Sequence, residues 1–449
     1  EKFANPRNAA SGSLRQKNPE ETKKIPLNFI AYTFGYFESD KIKKQSDFLK
    51  SLQKWGFKIS EHNKVLKNIN ELENFHKKFE EDRFNLEYDV DGLVYKINNL
   101  ELQKRLGFTS NSPRWAIAHK FSADSAYSEI TDINVQVGRT GALTPVARIK
   151  PVNIGGVVVS NATLHNEDEI NRKDIRIGDT VKVERAGDVI PHVIEVDLKK
   201  RPKNSRKFIF PKVCPSCGSK IIKDFNLQTK KYDAVNRCSS DSYNCEKMSI
   251  EKLKHFISKD ALNIDGLGKK VIEKFWDLKF IRFPQDIFDL NFDKIENLEG
   301  WGKLSTSNLK YSIENSKSIT FDKFIYSLGI RHIGQENAKI LAAFFGSVKE
   351  FSKLFNPKEN KKILGNLLEL DGIGETQIYA IENFFRNEKN VKITQDLVAQ
   401  LNVNNYLVDL KGGKFSNKKI MFTGGFKNIS RSEAKSIAEK NGGKVLGSI

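Results

Sequence analysis

Methionine and long hydrophobic runs are scarce in this sequence, and both shortages restrict what the protein can be. No apolar stretch approaches the roughly 18 residues that a membrane span needs, and no signal peptide opens the chain. We therefore expect a cytoplasmic protein with no attachment to a membrane. Residue 1 is Glu and methionine occurs only at positions 248 and 421, so we also expect this chain to be a fragment whose native N-terminus lies upstream.

Cysteine is equally scarce, and all four cysteines lie between residues 214 and 245. Disulfides are not expected in a reducing cytosol, whereas the Cys-x2-Cys spacing of Cys214 and Cys217 is typical of a metal site. With Cys238 and Cys245 they supply the four thiolates of a closed tetrahedral zinc site. We predict a structural Zn2+ there. The wider spacing of the second pair leaves four unrelated buried thiols as the alternative.

Acidic residues are outnumbered by basic ones, 56 against 75, which gives a formal charge of +19. A basic surface suits a polyanionic partner, because neutralised phosphates release counterions. The composition therefore favours a nucleic-acid partner, with a role in solubility alone as the alternative. A length of 449 residues suffices for roughly three or more domains.

The hydrophobic pattern changes along the chain, which predicts a multidomain α+β protein. Residues 1–122 alternate β-like runs, such as 26–37, with helical patterns at 47–56 and 69–83. Residues 123–210 contain about five short β-rich runs punctuated by Gly and Asn, which is typical of an OB-fold barrel. The remaining segments are a cysteine region at 211–249, a helical array at 250–402, a linker at 403–413 and the start of another α/β domain at 414–449.

Paired glycines recur in the helical array and mark an internal repeat. The tight turn between two helices exposes backbone N–H groups at a helix N-terminus, and such groups hold phosphate without reading bases. Four turns in register predict helix-hairpin-helix contacts with the DNA backbone, with helix-packing turns as the alternative. His332 replaces the first glycine of the third turn, so a packing role alone is the alternative for that turn. The predicted contacts are Gly266, Gly268, Gly300, Gly302, Gly334, Gly372 and Gly374.

The stretch RWAIAHKF, residues 114–121, places one lysine among small residues. In a strand Lys120 shares a face with Ala116 and Ala118, which leave room beside it for a ligand. His119 falls on the opposite, apolar face, where we expect it to pack. An edge-strand lysine that discourages aggregation is the alternative.

The stretch YDVDGLVYKINN, residues 88–99, carries charges inside a short strand. An ideal strand would put Asp91 and Lys96 on opposite faces, so both can reach one ligand only if the chain bends at Asp91 and Gly92. We interpret the charges as a nucleotide and metal site. A hairpin turn with solvated charges is the alternative.

The stretch FANPRNAASGSLRQKNP, residues 3–19, holds Arg7 and Arg15 around small residues. Small side chains let another molecule approach the backbone closely. A plain entry from a loop into a helix is the alternative.

Together these motifs resemble those of the bacterial NAD-dependent DNA ligases along the whole chain. Six motifs that precede the cysteines occur in the same order as in that family. They are NPRNAASGSLRQ, EDRFNLEYDVDGLVYK, SPRWAIAHKF, VGRTGALTPVARIKPV, VSNATLHN and RAGDVIP. The resemblance implies the C-terminal part of a nucleotidyltransferase (adenylation) domain, an OB-fold domain, a four-cysteine zinc finger, a helix-hairpin-helix domain and a truncated BRCT domain.

The resemblance also implies roles for individual residues. Lys96 and Lys120 are similar to the lysines that contact the AMP moiety and its phosphate, and Asp91 to the carboxylate that helps to position Mg2+ or Mn2+. A guanidinium is always charged and can bind phosphate through two bonds. The arginines similar to those that handle the adenylate and the nick phosphate are Arg7, Arg15 and Arg83.

The family's reaction begins when the lysine of a Lys-x-Asp-Gly motif attacks the α-phosphate of NAD. Asp89, Asn263 and Glu369 stand where that lysine would precede the Asp-Gly pairs of this sequence. We therefore expect that the chain as given cannot self-adenylate, although the intact enzyme would seal nicks through enzyme-AMP and DNA-adenylate intermediates in replication and repair. We expect a monomer acting on nicked double-stranded DNA. The alternatives are a non-catalytic ligase relic that holds nicks and a repair nuclease subunit with similar hairpins.

Overall fold

The structure is a computed structural model in which the chain forms two compact units. One comprises residues 1–134, 145–165 and 169–208, and the other 135–144, 166–168 and 209–449. The structure does not describe the side chains at positions 6–8, 84, 226, 419 and 444. The described residues are 6–35, 41–86, 88–109, 112–185, 190–203, 205–226, 230–241, 243–370, 372–406, 414–415, 418–422, 434, 437–438, 441 and 443–445.

The first part of unit 1 is mixed helix and strand, as predicted. Asparagine side chains cap its helices: Asn68 accepts a hydrogen bond from the Glu71 N–H and Asn99 from the Leu102 N–H, each satisfying a donor that the helix leaves unpaired. The elements are α1 (Pro6–Leu14), α2 (Pro19–Lys23), α3 (Gln45–Lys54), α4 (Ile69–Asp82), β1 (Gly92–Lys96), α5 (Leu100–Leu106) and β2 (Ala116–Lys120).

The predicted strand at 26–37 is wrong for its described part. Residues 26–35 form no strand, and the Ala31 N–H donates to the Lys58 carbonyl (2.9 Å) without a ladder of further bonds to that segment. A strand needs a continuous row of backbone partners. The segment has an apolar, β-like pattern, but within the described residues no neighbouring strand pairs with it.

The second part of unit 1 is a closed five-stranded barrel, which confirms the predicted OB-type fold. The strands follow the order β3-β4-β5-β7-β6, and their inward side chains, such as Ile130, Ala147 and Val181, are fully buried. The barrel elements are β3 (Asp124–Val137), β4 (Leu143–Ile154), β5 (Val157–Thr163), α6 (Glu167–Lys173), β6 (Thr180–Arg185) and β7 (His192–Val196).

Unit 2 begins its secondary structure with an antiparallel hairpin and continues as a helical array around one hydrophobic core that runs from Ile250 to Leu401. Its elements are β8 (Ile221–Asn226), β9 (Lys231–Cys238), α7 (Glu246–Phe256), α8 (Lys269–Asp277), α9 (Phe292–Glu296), α10 (Lys303–Ser316), β10 (Ser318–Thr320), α11 (Phe321–Ser327), α12 (Gln335–Phe345), α13 (Val348–Phe351), α14 (Pro357–Leu368), α15 (Glu375–Arg386), α16 (Glu388–Gln400) and β11 (Asn402–Asn404).

The last segment is described only in part. The parallel pair β12 (Lys419–Ile420) and β13 (Lys444–Val445) fits the α/β domain predicted there, while most of residues 414–449 lie outside the described residues. Among the helices that the structure describes, none is both long and apolar enough to cross a bilayer.

Candidate functional site

The four glycine turns of unit 2 share one backbone conformation. The first position of each turn has a positive φ: 90° at Gly266, 82° at Gly300, 62° at His332 and 91° at Gly372. Glycine adopts this left-handed region freely, whereas histidine does so at a cost. The third turn therefore keeps the shape of the others although its sequence departs from theirs.

The second glycine of each turn is the residue directly before a helix. Gly268, Gly302, Gly334 and Gly374 precede α8, α10, α12 and α15. A Cβ added to any of the first three would meet no heavy atom within 4 Å, and none has a positive φ. The fold itself does not require glycine there, so the absent side chain leaves open space in front of the helix N-terminus.

The turns differ in charge. Exposed lysines follow the first two turns directly, namely Lys269, Lys270 and Lys303, whereas Glu336 and Glu375 lie in the first helical turn after the third and fourth. A carboxylate at that position competes for the positive end of the helix dipole and repels phosphate. The first two turns are therefore the better anion sites.

In unit 1 the pairing of β1 with β2 brings the two predicted lysines to one face. The register is antiparallel, with Gly92 opposite Lys120 and Lys96 opposite Ala116. Directly opposite residues point to the same side of a sheet, and so do residues two or four apart. Lys96 and Lys120 consequently share one face of this two-stranded sheet.

Each lysine has a different partner. The Lys120 ammonium lies 2.5 Å from Oδ2 of Asp91, and both side chains are more than half exposed. The half-buried Lys96 donates to the Tyr32 carbonyl at 3.0 Å and lies 4.9 Å from the centre of the Tyr32 ring. Burial lowers the pKa of the Lys96 ammonium below its ordinary value.

Asp91 is the residue directly before β1, which begins at Gly92. Its carbonyl accepts a bond from the Phe121 N–H at 2.9 Å, which extends the register of β1 and β2 by one residue pair. The predicted bend at Asp91 and Gly92 stays a prediction. Asp91 offers one carboxylate, which fits a Mg2+ or Mn2+ ion only when substrate phosphates and water supply the other ligands.

The structure describes the side chains of two of the three predicted arginines. Arg83 donates to Oδ1 of Asp124 at 3.2 Å and lies over the Phe121 ring. Arg15 follows α1 and is exposed. The side chain of Arg7 lies outside the described residues. The structure thus joins Lys120 with Asp91, and it leaves the arginine roles as predictions.

His119 falls on the other face of the sheet, where it is exposed and contacts neighbouring rings. Its ring stacks on His76 of α4 with centroids 3.7 Å apart, and its Nδ1 lies 3.2 Å from the Tyr95 hydroxyl. Sequence reasoning missed both His76 and the Tyr32 carbonyl. His76 could have been found from its helical spacing with Phe79 on α4, whereas a backbone carbonyl far along the chain leaves no sequence signal.

The four cysteine sulfurs form one cluster, with every Sγ atom within 4.8 Å of the others. Cys214 and Cys245 lie 3.9 Å apart, and Cys217 and Cys238 3.4 Å apart. A tetrahedral zinc with Zn–S bonds of about 2.3 Å needs sulfurs roughly 3.8 Å apart, so the cluster fits this metal. Burial raises the pKa of the Cys238 and Cys245 thiols, and a bound cation would offset that cost of ionisation.

Comparisons with known proteins agree with this geometry. Residues 1–124 match the family model of the NAD-dependent DNA ligase adenylation domain, and residues 127–205 that of the NAD-dependent DNA ligase OB-fold domain. Residues 323–394 match a helix-hairpin-helix motif and residues 411–449 the BRCA1 C Terminus (BRCT) domain. A DNA ligase of Pelagibacter ubique is 59% identical over 449 residues, which are 100% of this chain and 66% of that protein. The chain belongs to the NAD-dependent DNA ligase family.

Other ligases are more distant. A DNA ligase of Xanthobacter autotrophicus is 43% identical over 463 residues, covering 100% of this chain and 64% of its own length. A DNA ligase of Rickettsia bellii is 43% identical over 457 residues, which cover 100% of this chain and 65% of that protein. The chain thus spans slightly less than two thirds of the length of these curated relatives.

Proposed function

We propose that this protein is a DNA ligase that seals nicks in duplex DNA, joining a 3′-hydroxyl to a 5′-phosphate in replication and repair, with NAD as the adenylyl donor. The observation that carries the proposal is the shared face of Lys96 and Lys120, with Lys120 paired to Asp91. It lies in the segment that matches an NAD-dependent adenylation domain. When bound, NAD supplies the AMP group and the energy of its phosphate bond.

The two lysines would act on phosphate charge. An ammonium fixed in position stabilises negative charge that develops on a transferring phosphoryl group. Asp91 holds Lys120 before substrate arrives, and it would help to hold Mg2+ or Mn2+ once phosphates complete the coordination. The carbonyl of Tyr32 holds Lys96 in the same way. For Arg7, Arg15 and Arg83 we propose contacts with the adenylate and the nick phosphate.

DNA would be held through its backbone by the glycine turns. The open space in front of Gly268, Gly302 and Gly334 would let a phosphate approach the backbone N–H groups of the helix start. Lysines after the first two turns would neutralise phosphates there, so these turns would contribute most of the affinity. The zinc would hold the cysteine loops in shape and take no part in the reaction.

A second function is a nick-binding role without chemistry, and one observation favours it: the four glycine turns lie in unit 2, outside the adenylation segment. A pre-adenylated nick distinguishes the two, because closing it needs no nucleophilic lysine. We expect the chain with Mg2+ to close a duplex whose nick already carries AMP on its 5′-phosphate. Binding of that duplex without closure would favour the non-catalytic function.

A further inference from the structure

The β8–β9 hairpin of the zinc-binding region carries an exposed aromatic pair. Phe225 and Tyr232 stand opposite each other in the register, with ring centroids 5.1 Å apart and planes at 65°. They are 48% and 69% exposed. Such a cross-strand pair stabilises a hairpin, but the outer surfaces of both rings stay in water. The pair therefore offers apolar ring surface to a ligand.

The carboxylates beside the pair are neutralised within the protein. Asp224 is paired with Arg331 and lies 3.2 Å from Nε of Arg237. Asp233 lies 3.3 Å from Nη2 of Arg237 and 3.9 Å from Nη2 of Arg331. Two carboxylates and two guanidinium groups thus form one network. Their charges cancel, and the network repels neither an anion nor a cation strongly.

The remaining charge beside the pair is positive. Lys230 and Lys231 are exposed, and in the part of the chain that the structure describes neither of them forms an ion pair. Apolar rings next to uncompensated lysines complement a partner that combines flat apolar faces with negative charge, which is the chemistry of a nucleic acid. An acidic protein surface with exposed aromatic rings is the alternative partner, and its binding would leave the fluorescence of a DNA base unchanged.

The ion-pair network also links the aromatic pair to a DNA-binding turn. Arg331 is the residue before His332, at the start of the third glycine turn, which ends at Gly334. The contacts of Arg331 with Asp224 and Asp233 fix the hairpin against that turn. A DNA backbone lying at the third turn would therefore pass close to the hairpin.

We propose that Phe225 and Tyr232 form a stacking surface for a nucleobase of bound DNA, at a strand end such as that exposed by a nick. The proposal rests on the function proposed above and adds a base contact to a binding mode otherwise made of backbone contacts. Arg331 acts as a positioning residue, because it holds the hairpin and is thereby unavailable to phosphate. The third turn would then contribute to DNA binding mainly through its shape and by holding the hairpin in place, and less through positive charge.

The test uses the zinc-loaded chain and a nicked duplex that carries the fluorescent base 2-aminopurine next to the nick. The fluorescence of 2-aminopurine reports stacking of this base. We expect the Phe225→Ala/Tyr232→Ala variant to bind about tenfold more weakly or worse, since base–aromatic stacking contributes about that much. The quenching of 2-aminopurine should be lost, while the dependence of affinity on salt keeps its slope. The Lys230→Ala/Lys231→Ala variant should instead reduce that slope by about 2.

Three controls keep the outcome decisive. Tyr232→Phe keeps the ring and should bind like the parent, and Phe57→Ala removes an exposed ring of unit 1 and should also leave binding unchanged. If the double alanine variant loses zinc, Phe225→Leu/Tyr232→Leu replaces it, because leucines keep an apolar hairpin without an aromatic face. Parent-like affinity and quenching in the double variant would overturn the stacking surface. Failure of the parent to bind nicked duplex would instead overturn the function on which it rests.

Discussion

Lys120 and Asp91 form an ion pair of 2.5 Å on the face of the β1–β2 sheet that also carries Lys96. Both partners are more than half exposed, and exposed ion pairs stabilise a fold little. The pair therefore adds little to stability, and the function proposed above gives it another role, which is to keep an ammonium at a defined place on the exposed surface. Its consequences can be measured one residue at a time.

Replacing Lys120 by Ala should abolish ligation while leaving DNA binding nearly unchanged. We expect closure of a pre-adenylated nick to slow by roughly 100-fold or more, because a fixed positive charge next to the reacting phosphate is lost. Single-turnover gel assays give the rate, and anisotropy gives the affinity. Lys104→Ala removes a matched exposed lysine from α5 and should behave like the parent. A Lys120→Ala protein that closes nicks at the parent's rate would refute the assigned role.

Replacing Asp91 by Asn should weaken both the hold on Lys120 and the contribution to the metal ion. We expect slower closure and a higher Mg2+ concentration for half-maximal rate, because an amide is a poorer Mg2+ ligand than a carboxylate. Asp91→Glu should recover part of the metal dependence. A slower rate with an unchanged Mg2+ requirement would mean that Asp91 only positions the lysine.

Gly92 should tolerate no side chain. An added Cβ would lie 2.5 Å from the His119 carbonyl oxygen and 2.8 Å from Cα of Lys120, so β1 and β2 would have to separate. Overpacking of this kind costs about 1–3 kcal/mol. Gly92→Ala should lower the thermal midpoint of unit 1 and slow closure, whereas Gly35→Ala, with nothing within 4 Å, should do neither. An unchanged midpoint for Gly92→Ala would show that the two strands are not held this closely in solution.

The residues that sequence patterns predicted well are those whose spacing is set by local geometry. The four cysteines, the glycine turns and the barrel strands all follow from short-range rules on ligand spacing, backbone conformation and strand alternation. His332 shows the limit of such rules, because its side chain indicates a degenerate turn while its φ of 62° keeps the turn intact. The backbone conformation at His332 therefore depends on the surrounding fold and cannot be inferred from the local sequence.

The contacts that sequence patterns missed join distant segments through the backbone or through charge. Lys96 is held by the backbone carbonyl of Tyr32. Every residue has a backbone carbonyl, so the residue type gives no sign of this contact. Arg331, next to the third glycine turn, pairs with Asp224 of the hairpin. Charge pairing between elements depends on tertiary packing, so no spacing in the sequence could have revealed it.

The lysines after the first glycine turn should set part of the salt dependence of DNA binding. Lys269→Ala/Lys270→Ala should weaken binding and reduce the slope of log affinity against log salt by about 2, since each neutralised phosphate contributes about 0.9. Lys361→Ala/Lys362→Ala on α14 makes the same change in net charge away from a glycine turn. That variant should keep the parent's slope. Equal slopes in both variants would mean that net charge alone, and not the turn, attracts DNA.

Zinc should be needed for the shape of the cysteine loops and, through them, for DNA binding. We expect one zinc per chain by elemental analysis, because the four sulfurs lie at spacings that fit a single tetrahedral ion. A strong chelator should lower the thermal midpoint of unit 2 and the affinity for nicked duplex, since binding of a structural metal contributes directly to folding. Added zinc should restore both properties in the parent but not in Cys238→Ser. If metal-free chain melts and binds DNA like the zinc-loaded chain, the cluster is four metal-free thiols, and other contacts, such as the Asp224–Arg331 and Asp233–Arg237 pairs, suffice to hold the hairpin.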